Sequence, residues 1–432
     1  MEDVQRVYIG LMGLGVVGSG VATILADKQA TIASQVGCPV EVKKVLVRDA
    51  SKPRQATVAS SQITSNPTEI LSDPDISIVI EVIGGEEPAH QYILEAIRQG
   101  KHVITANKEV IAKHGPQLLE LAEKHQIAIH YEASVGGGIP LIAPFRQSLL
   151  ANDISTLYAI INGTTNYILT KMAREHIDLQ QALQEAQALG YAETDPTNDI
   201  AGTDAAYKLA ILANLAFHTR VAPDQVYREG ITRLTARDFR YAGELGYAIK
   251  LLAIAKRHEA GIEVRVHPAM ISEDRILAKV DSVFNAVEVD GDLTGPIMFY
   301  GRGAGSLPTT SAVVADLIEL AREVHQGTSR SHSARALCIL PIRSMDELWT
   351  RYYIRMSVRD QPNVLAQIAT VLGNQEISLA SVIQKESDET AQLAEIVLMT
   401  HVASEQAMQE ALRQLVALSV VADIGTTIRV EG

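Results

Sequence analysis

The densest group of chemically active side chains lies in the segment Gly190–Lys208. It contains four carboxylates and one amine, from Glu193, Asp195, Asp199, Asp204 and Lys208. Clustered carboxylates can hold a cationic amine, and a partly buried lysine can exchange a proton with a substrate because desolvation favours its neutral form. The segment therefore indicates proton transfer on a substrate that carries an ammonium group.

The lysine is expected on a helix that starts near Thr203 and runs to about Phe217. Most later positions of this helix are apolar, which predicts that it is largely buried. Asp204 and Lys208 are four residues apart and share one helix face. An exposed ion pair is the alternative interpretation. In a buried pair, Asp204 would hold Lys208 as an ammonium group suited to protonating an alkoxide.

A glycine loop follows the predicted strand Val7–Met12 and opens a helical run over Val17–Gln29. In a GxGxxG loop one glycine permits the tight turn, the next lets the backbone approach a pyrophosphate, and the third lets helix and strand pack closely. The helix start then offers unpaired N–H groups to the phosphates. The pattern predicts a dinucleotide site, with an ordinary turn as the alternative. Its residues are Gly13, Leu14, Gly15, Val16, Val17 and Gly18.

The end of the second predicted strand bears on the choice of cofactor. An arginine there can accommodate the 2′-phosphate of NADP, whereas an acidic residue binds the ribose 2′-OH of NAD. Arg48 occupies the strand tip, and Lys52 and Arg54 follow. This favours NADP, while Asp49 keeps NAD open as the alternative. A solvated basic turn without a cofactor role also stays open.

The elements that position these residues alternate between apolar strands and amphipathic helices in the N-terminal part, which is typical of a parallel α/β sheet. Helices are expected at Glu87–Gln99 and at Pro116–His125, the latter with its proline in the first turn. The strands are predicted at Arg6–Met12, Val40–Arg48, Ile76–Ile83, Lys101–Ala106 and Ile127–Glu132.

A mixed α+β pattern follows from about Ser134 to Pro308, with alanine- and leucine-rich helices between the strands. Strands are predicted near Ser155–Asn162, Glu263–Pro268 and Ser282–Asp290, and helices at Leu179–Leu189 and Thr310–His325. The C-terminal part then repeats strand, helix, strand, strand, helix, strand, which is a ferredoxin-like order. Its elements are Tyr352–Arg359, Val364–Asn374, Leu379–Gln384, Ala394–Val402, Glu405–Ala417 and Ile424–Val430.

Composition narrows the classes of function. The net charge of −13 opposes nucleic acid as a partner, since phosphate binding needs a basic face. The two cysteines, Cys38 and Cys338, exclude a disulfide framework. No signal peptide and no apolar run of roughly 18 residues is evident. A cytoplasmic protein without a membrane partner is therefore expected.

Four motifs together resemble homoserine dehydrogenase. They are GYAETDPTNDIAGTDAAYKLA from Gly190, TANK at Thr105–Lys108, EASVGGGIP at Glu132–Pro140 and INGTTNYI at Ile161–Ile168. The resemblance extends to about residue 325, and the C-terminal part resembles an ACT domain. It implies an α/β fold with an N-terminal Rossmann domain, a central α+β catalytic and dimerisation domain, and a ferredoxin-like ACT regulatory domain. The expected bounds are 1–133 (completed by about 304–326), 134–303 and 350–432, with a linker at 327–349.

The resemblance also implies the reversible NAD(P)-dependent interconversion of L-homoserine and L-aspartate 4-semialdehyde, in threonine, methionine and isoleucine biosynthesis. Lys208 is the implied acid and base, and Lys108 a second catalytic lysine that contacts the cofactor. Glu193 is the expected partner of the substrate ammonium. Further substrate contacts are expected from Asp204, Asp199, Tyr191 and Thr164, and further cofactor contacts from Gly190 and Gly303.

The loop from Glu132 to Ile139 resembles the family's monovalent-cation site, and a plain glycine turn stays open from the residues alone. The Glu132 side chain and the carbonyl groups of Val135, Gly137 and Ile139 would then bind Na⁺. In the ACT domain, Asn363 stands where such loops commonly carry glycine, and it tolerates the left-handed backbone region. Feedback by L-threonine and a purely dimerising role both stay open, and a homodimer or homotetramer is expected.

Two rival classes share part of this pattern. Another Rossmann reductase, acting on an amino-acid semialdehyde or imine, would share the glycine loop. Its reaction would not require the carboxylates and lysine of the segment from Glu193 to Lys208. A non-catalytic, NADP-sensing regulator with an ACT domain would dispense with the lysine and its carboxylates. Four histidines are scattered around the Rossmann part without the spacing of metal ligands, and none of them is expected to be catalytic. They are His102, His114, His125 and His130.

Overall fold

A computed structural model describes residues 6–52, 58–328, 339–388 and 392–432 of the chain. Arg54, Cys338 and much of the predicted linker lie outside these ranges. The N-terminal elements are β1 (Val7–Met12), α1 (Val16–Asp27), α2 (Gln29–Val36), β2 (Val40–Leu46), β3 (Ile63–Thr64), α3 (Thr68–Leu71), β4 (Ile76–Glu81), α4 (Ala89–Arg98), β5 (His102–Thr105), α5 (Lys108–Lys124), β6 (Ile129–His130) and α6 (Ile142–Arg146).

The central elements are β7 (Ile154–Ile160), α7 (Gly163–Glu175), α8 (Leu179–Ala188), α9 (Thr197–Ile200), α10 (Thr203–Phe217), β8 (Tyr227–Arg228), α11 (Ala236–Glu244), β9 (Tyr247–His258), β10 (Gly261–Ser272), β11 (Phe284–Gly291), β12 (Gly295–Arg302) and α12 (Ser306–Gln326). The C-terminal elements are β13 (Trp349–Arg359), α13 (Val364–Asn374), β14 (Leu379–Asp388), β15 (Leu393–Thr400), β16 (Ala403–Ser404), α14 (Glu405–Val416) and β17 (Val421–Glu431). Among the described residues, none of these helices combines the length and apolar character needed to cross a bilayer.

The chain forms two compact units. The first unit comprises the residues up to 154 together with 207–224 and 289–340. The second unit comprises 155–206, 225–288 and 341–432. The C-terminal elements therefore share a unit with most of the central ones, while α12 returns to the N-terminal part.

The first unit is built on a parallel sheet with the strand order β3-β2-β1-β4-β5-β6. Its central strands β1 and β4 are largely apolar because helices cover both faces of the sheet, and Ile9, Leu11 and Ile80 are fully buried. Helix α12 packs on the same core through Val313 and Leu317. This strand order confirms the predicted Rossmann fold. The order reverses between β1 and β4, where such sheets bind ligands.

Two local predictions in the first unit were wrong. Helix α5 begins at Lys108, and Pro116 lies inside it rather than in its first turn. The helix starts early because the Asn107 side chain accepts the N–H of Val110 at 3.2 Å and caps it. The strand predicted over Ile127–Glu132 shortens to β6, since the chain turns into a 3-10 helix at Glu132.

The second unit contains a mixed sheet with the strand order β11-β7-β9-β10-β17-β13-β15-β14. Strand β9 was not predicted, because its run of alanine, leucine and isoleucine was interpreted as helical; most of its residues are buried. The predicted ferredoxin-like order of the C-terminal part is confirmed by β13, α13, β14, β15, α14 and β17. Strand β17 pairs in parallel with β10, so the ACT sheet continues directly into the central sheet.

Buried ion pairs cross this junction within the second unit. Arg265 of β10 is 1% exposed and binds Glu431 of β17, with Nη2 at 2.7 Å from Oε1. Lys256 of β9 binds the other oxygen of Glu431 at 2.9 Å. Burial alone would raise the pKa of Glu431, but the two cations bring it down to about 2. The carboxylate is therefore held ionised inside the protein.

His267 lies next to this ion pair on β10. Because His267 is buried, we expect the second unit to lose stability as the pH decreases. Burial and the nearby Arg429 and Arg265 lower its pKa to about 3. Between pH 6.5 and 3 the unfolded chain binds a proton that the folded chain does not, so stability falls as the pH decreases through this window, by up to about 1.4 kcal/mol per pH unit. His267→Gln should flatten the pH dependence of the unfolding midpoint between pH 6.5 and 5. The exposed His401→Gln serves as control, and parallel profiles for His267→Gln and wild type would contradict the prediction.

Candidate active site

The predicted glycine loop lies between β1 and α1, and its three glycines differ in what surrounds them. Gly13 has a φ of +104°, and an added Cβ would lie 2.7 Å from the carbonyl oxygen of Val82. A Cβ on Gly18 would lie 2.1 Å from the carbonyl oxygen of Gly13. Around Gly15 nothing lies within 4 Å of an added Cβ. The fold itself demands two of the glycines, and the third leaves the backbone open to a pyrophosphate.

The residues around these glycines suit an anion. Helix α1 carries no acidic residue in its first turn, so its N–H groups and positive dipole end are not offset there. Val16 is exposed, whereas Leu14 and Val17 pack against the core. The loop therefore fits the diphosphate of a dinucleotide.

The two residues that bear on the choice of cofactor, Arg48 and Asp49, follow β2 and differ in their contacts. Arg48 is exposed. The carboxylate of Asp49 turns back on the chain, where Oδ1 accepts the N–H of Ser51 at 2.9 Å and its hydroxyl at 2.7 Å. Of the two side chains, that of Arg48 is the exposed one, while the Asp49 carboxylate is bonded to Ser51.

Lys108 begins α5 directly beyond β5 and is half-buried. Two residues that were not predicted as site residues, Asn107 and Glu81, shape this edge of the sheet. Asn107 donates from Nδ2 to the carbonyl oxygen of Gly85 at 2.7 Å. Glu81 is fully buried at the tip of β4, where burial raises its pKa, and it accepts the Thr105 hydroxyl at 2.6 Å. Both fix the loops that follow β4 and β5.

The predicted cation loop follows β6. The Glu132 carboxylate is buried, which raises its pKa, and it accepts the N–H groups of Leu141 and Ile142 with Oε1 and of Ala143 with Oε2, at 2.5–2.9 Å. It therefore caps the start of α6. Gly137 has a φ of +56° and approaches Gly303, whose carbonyl oxygen would lie 2.6 Å from an added Cβ. The loop is a tight turn, in which Val135 and Ile139 are also buried.

In the second unit one amide joins two of the predicted substrate carboxylates. Asn162 is buried and donates from Nδ2 to Asp199 Oδ1 at 2.7 Å and to Asp204 Oδ2 at 2.8 Å. Its own Oδ1 accepts the N–H of Thr165 at 2.8 Å and so caps α7. Asn162 was not predicted as a site residue, although it lies in the motif INGTTNYI that carries the family resemblance.

The other predicted substrate residues lie on neighbouring segments of this unit. Thr164 donates its hydroxyl to the carbonyl oxygen of Tyr191 at 2.7 Å. Tyr191 is 42% exposed, and its ring centroid lies 5.0 Å from that of Tyr167. Glu193 is exposed two residues further on, and Gly190 ends the preceding helix with a φ of +73°. Thr164 and Tyr191 are thus in contact, and the side chains of Tyr191 and Glu193 are both accessible to solvent.

Helix α10 begins at Thr203, as predicted, and carries both Asp204 and Lys208. Asp204 is 6% exposed, and Lys208 is half-buried one turn later. Residues Leu209–Ala213 are almost fully buried, which confirms a core helix. The alternative interpretation of Asp204 and Lys208 as an exposed ion pair is therefore wrong, because Asp204 is buried and accepts a hydrogen bond from Asn162.

Three family models match the chain. The model described as homoserine dehydrogenase, NAD binding domain, matches residues 13–132, and the model described as homoserine dehydrogenase matches residues 140–318. The ACT domain model matches residues 352–420.

Relatives match over nearly the whole chain. A homoserine dehydrogenase of Neisseria gonorrhoeae is 43% identical, over 99% of this chain and 99% of its own. The crystal structure of a homoserine dehydrogenase from Thiobacillus denitrificans superposes with a TM-score of 0.92 at 42% identity, covering 99% of this chain and 98% of its own. A hyperthermophilic archaeal homoserine dehydrogenase in complex with NADPH gives a TM-score of 0.62 at 29% identity, covering 73% and 97%.

A Rossmann sheet with an open glycine loop, and a core helix that carries a lysine one turn from a buried carboxylate, define an NAD(P)-dependent oxidoreductase. The matches over both catalytic parts and the ACT part narrow this class. The chain belongs to the homoserine dehydrogenase family. The rival interpretations as another Rossmann reductase or as a non-catalytic regulator are not favoured, because the relatives match from end to end.

Proposed function

We propose that this chain catalyses the reversible interconversion of L-homoserine and L-aspartate 4-semialdehyde, with Lys208 as acid and base. The observation that carries the proposal is the start of α10, where Asp204 is buried and bonded to Asn162 while Lys208 follows one turn later. A nicotinamide cofactor supplies the hydride in reduction and accepts it in oxidation. The sheet edge beside the glycine loop fits such a cofactor, as the open space at Gly15 indicates.

Lys208 of α10 is the group that we propose to transfer the proton in both directions of the reaction. In reduction of the semialdehyde, the carbonyl oxygen gains negative charge, and the Lys208 ammonium group donates its proton to that oxygen. In oxidation of homoserine, the neutral amine takes the hydroxyl proton. Lys108, at the first turn of α5, is proposed as a second catalytic lysine and cofactor contact.

The substrate ammonium is proposed to bind the carboxylates of the second unit. Glu193 is exposed and can meet it directly, whereas Asp199 and Asp204 are already held by Asn162. Tyr191, Thr164 and Gly190 border this region. The test is the rate of reduced-nicotinamide formation with L-homoserine and with 4-hydroxybutanoate, which lacks the amine. Turnover is expected only with L-homoserine, and equal rates would contradict the assignment.

NADP is the proposed cofactor, with NAD as the weaker alternative. Arg48 is exposed at the tip of β2, while the carboxylate of Asp49 is engaged by Ser51. The NADPH complex of the archaeal homoserine dehydrogenase supports a nicotinamide dinucleotide at the matching domain.

Replacing Arg48 by alanine should raise the KM for NADP about tenfold or more and leave the KM for NAD nearly unchanged. The reason is that a charged hydrogen bond to the 2′-phosphate contributes about 1.5–3 kcal/mol. Initial rates with both cofactors measure the ratio. Arg98→Ala, an exposed arginine at the end of α4, serves as control. If both cofactors lose affinity equally, Arg48 does not read the 2′-phosphate.

A monovalent cation, proposed to be Na⁺, fits the loop after β6. The carbonyl oxygens of Val135, Gly137 and Ile139 are hard donors, and Glu132 is buried with its carboxylate facing only backbone N–H groups among its described hydrogen bonds. Such a cation would offset the burial of that charge. Activity in sodium salts compared with choline salts measures the requirement.

The ACT part is proposed to bind L-threonine or to form the contact between subunits of a homodimer or homotetramer. Asn363 adopts a φ of +69°, so the turn before α13 keeps the left-handed geometry that glycine would give. Activity with added threonine, in wild type and Asn363→Gly, tests the effector role. Insensitivity in both would end it, and sedimentation of the full chain gives the oligomeric state.

A further inference from the structure

A histidine and two carboxylates of the first unit meet away from the residues assigned above to substrate and cofactor. His130 ends β6, and Asp316 and Glu319 lie one turn apart on α12. One ligand atom from each lies within 4.8 Å of the other two. His130 Nδ1 is 3.8 Å from Asp316 Oδ1 and 3.8 Å from Glu319 Oε2.

These separations suit metal ligands better than hydrogen bonds. A direct N–H···O bond spans about 2.7–3.2 Å, so 3.8 Å is too long. Two ligands on one ion, each about 2.0–2.2 Å from it, lie roughly 3.3–3.8 Å apart at tetrahedral to trigonal angles. Both distances from His130, 3.8 Å, lie at the upper end of that range. The three groups thus surround a point that an ion could occupy.

Groups outside the cluster fix both carboxylates. Asp316 Oδ2 accepts the backbone N–H of Glu132 at 2.9 Å, which leaves Oδ1 toward His130. Glu319 Oε1 accepts Nε2 of Gln147 at 3.2 Å, which leaves Oε2 toward His130. Such outer hydrogen bonds orient ligands in metal sites. The inward oxygen of each carboxylate is therefore set before any ion binds.

Burial and charge at the cluster favour a divalent cation. His130 is 2% exposed and Asp316 is 7% exposed. A third carboxylate, Glu323, follows on α12, and its Oε2 is buried without a hydrogen-bond partner among the described residues. Burial raises the pKa of Glu323, the charge of His130 lowers it, and the charge of Glu319 raises it further. The carboxylates of Asp316 and Glu319 therefore place negative charge beside a buried imidazole.

We propose that His130 Nδ1, Asp316 and Glu319 bind a divalent transition-metal ion of the zinc class, with Glu323 as a further oxygen donor. Imidazole and carboxylate together suit Zn²⁺ and Co²⁺ and are a poor set for a monovalent cation, which separates this site from the loop at Val135–Ile139. The ion would join β6 to α12. Asp316 also accepts the backbone N–H of Glu132, so the bound ion would stabilise the start of the loop that follows Glu132.

The test uses the full chain after chelator treatment and dialysis, titrated with Zn²⁺ and with Co²⁺. One equivalent is expected to bind, with a visible absorption band for Co²⁺ and a rise in the thermal midpoint. Glu319→Gln, on a half-exposed residue that should fold, is expected to weaken Co²⁺ binding about 100-fold or more, and His130→Asn likewise. The exposed His125→Asn is the matched control and should bind as wild type does.

Two outcomes would overturn the proposal and leave an ion-pair cluster only. One is the absence of stoichiometric binding at micromolar metal. The other is equal Co²⁺ affinity and equal midpoint shift in wild type, Glu319→Gln and His125→Asn, which would mean that the metal binds elsewhere.

Discussion

Lys208→Ala is expected to lower kcat for L-homoserine oxidation by about 10²–10⁴-fold, the usual contribution of a positioned acid or base. The Kd for NADPH should stay within a few-fold of wild type, because the glycine loop does not involve this side chain. Steady-state rates and fluorescence titration of NADPH measure the two effects. Lys124→Ala, an exposed lysine at the end of α5, serves as control and should leave both unchanged.

The same variant separates a chemical role from a structural one. If Lys208 only stabilised α10, Lys208→Met would restore kcat, since methionine can fill a similar half-buried space. The proposed acid–base role predicts that it does not. Wild-type-like turnover in Lys208→Ala or Lys208→Met would remove the residue from its assigned role.

Arg355→Ala should cost about 3–5 kcal/mol of stability in the second unit, because it breaks a buried ion-pair network and removes the guanidinium group that two buried carboxylates share. Arg355 Nε lies 2.7 Å from Asp238 Oδ1, and Nη1 lies 3.1 Å from Glu395 Oε2. The two carboxylate side chains are 0% and 5% exposed. Arg413→Ala is the matched control: its side chain is 74% exposed beside Glu410, and its loss should cost at most about 1 kcal/mol.

Denaturant unfolding followed by tryptophan fluorescence measures this cost. The chain has one tryptophan, Trp349, which lies at the start of β13 in the second unit. The signal therefore reports on the unit that Arg355 stabilises. Equal midpoints for Arg355→Ala and Arg413→Ala would show that the network contributes nothing measurable.

The same contacts determine how the ACT part can be studied. Strand β17 pairs with β10, and Arg355 of β13 binds Asp238 of α11. Removing the C-terminal residues would leave Arg265 and His267 without the strand that covers them. Loss of regulation after truncation would then be confounded with loss of folding, so point variants such as Asn363→Gly are the sharper test.

Much of the fold follows from local sequence patterns. Nearly continuous apolar runs predict β1 and β4, and the glycines of the first loop predict the turn that joins β1 to α1. The C-terminal elements follow from alternating apolar positions in the same way. Strand β9 and the start of α5 were missed because a buried strand and a buried helix can share one composition, and because the cap at Asn107 outweighs Pro116.

The candidate site was predictable only where residue types carry charge or glycine. Lys208 and the carboxylates around it stand out for that reason, and so does the loop at Gly13. Asn162, Asn107 and Glu81 act through hydrogen bonds to residues distant in the chain, which no local spacing reveals. His130 shows the same limit, since its proposed metal partners lie on α12 and give no ligand spacing in the N-terminal sequence.

The most direct test of the central claim is a crystal structure of the complex with L-homoserine and an oxidised cofactor. We expect Lys208 Nζ within about 2.7–3.2 Å of the homoserine hydroxyl oxygen and the substrate ammonium beside Glu193. A complex in which another side chain contacts that oxygen, while Lys208 points away from the substrate, would contradict the account.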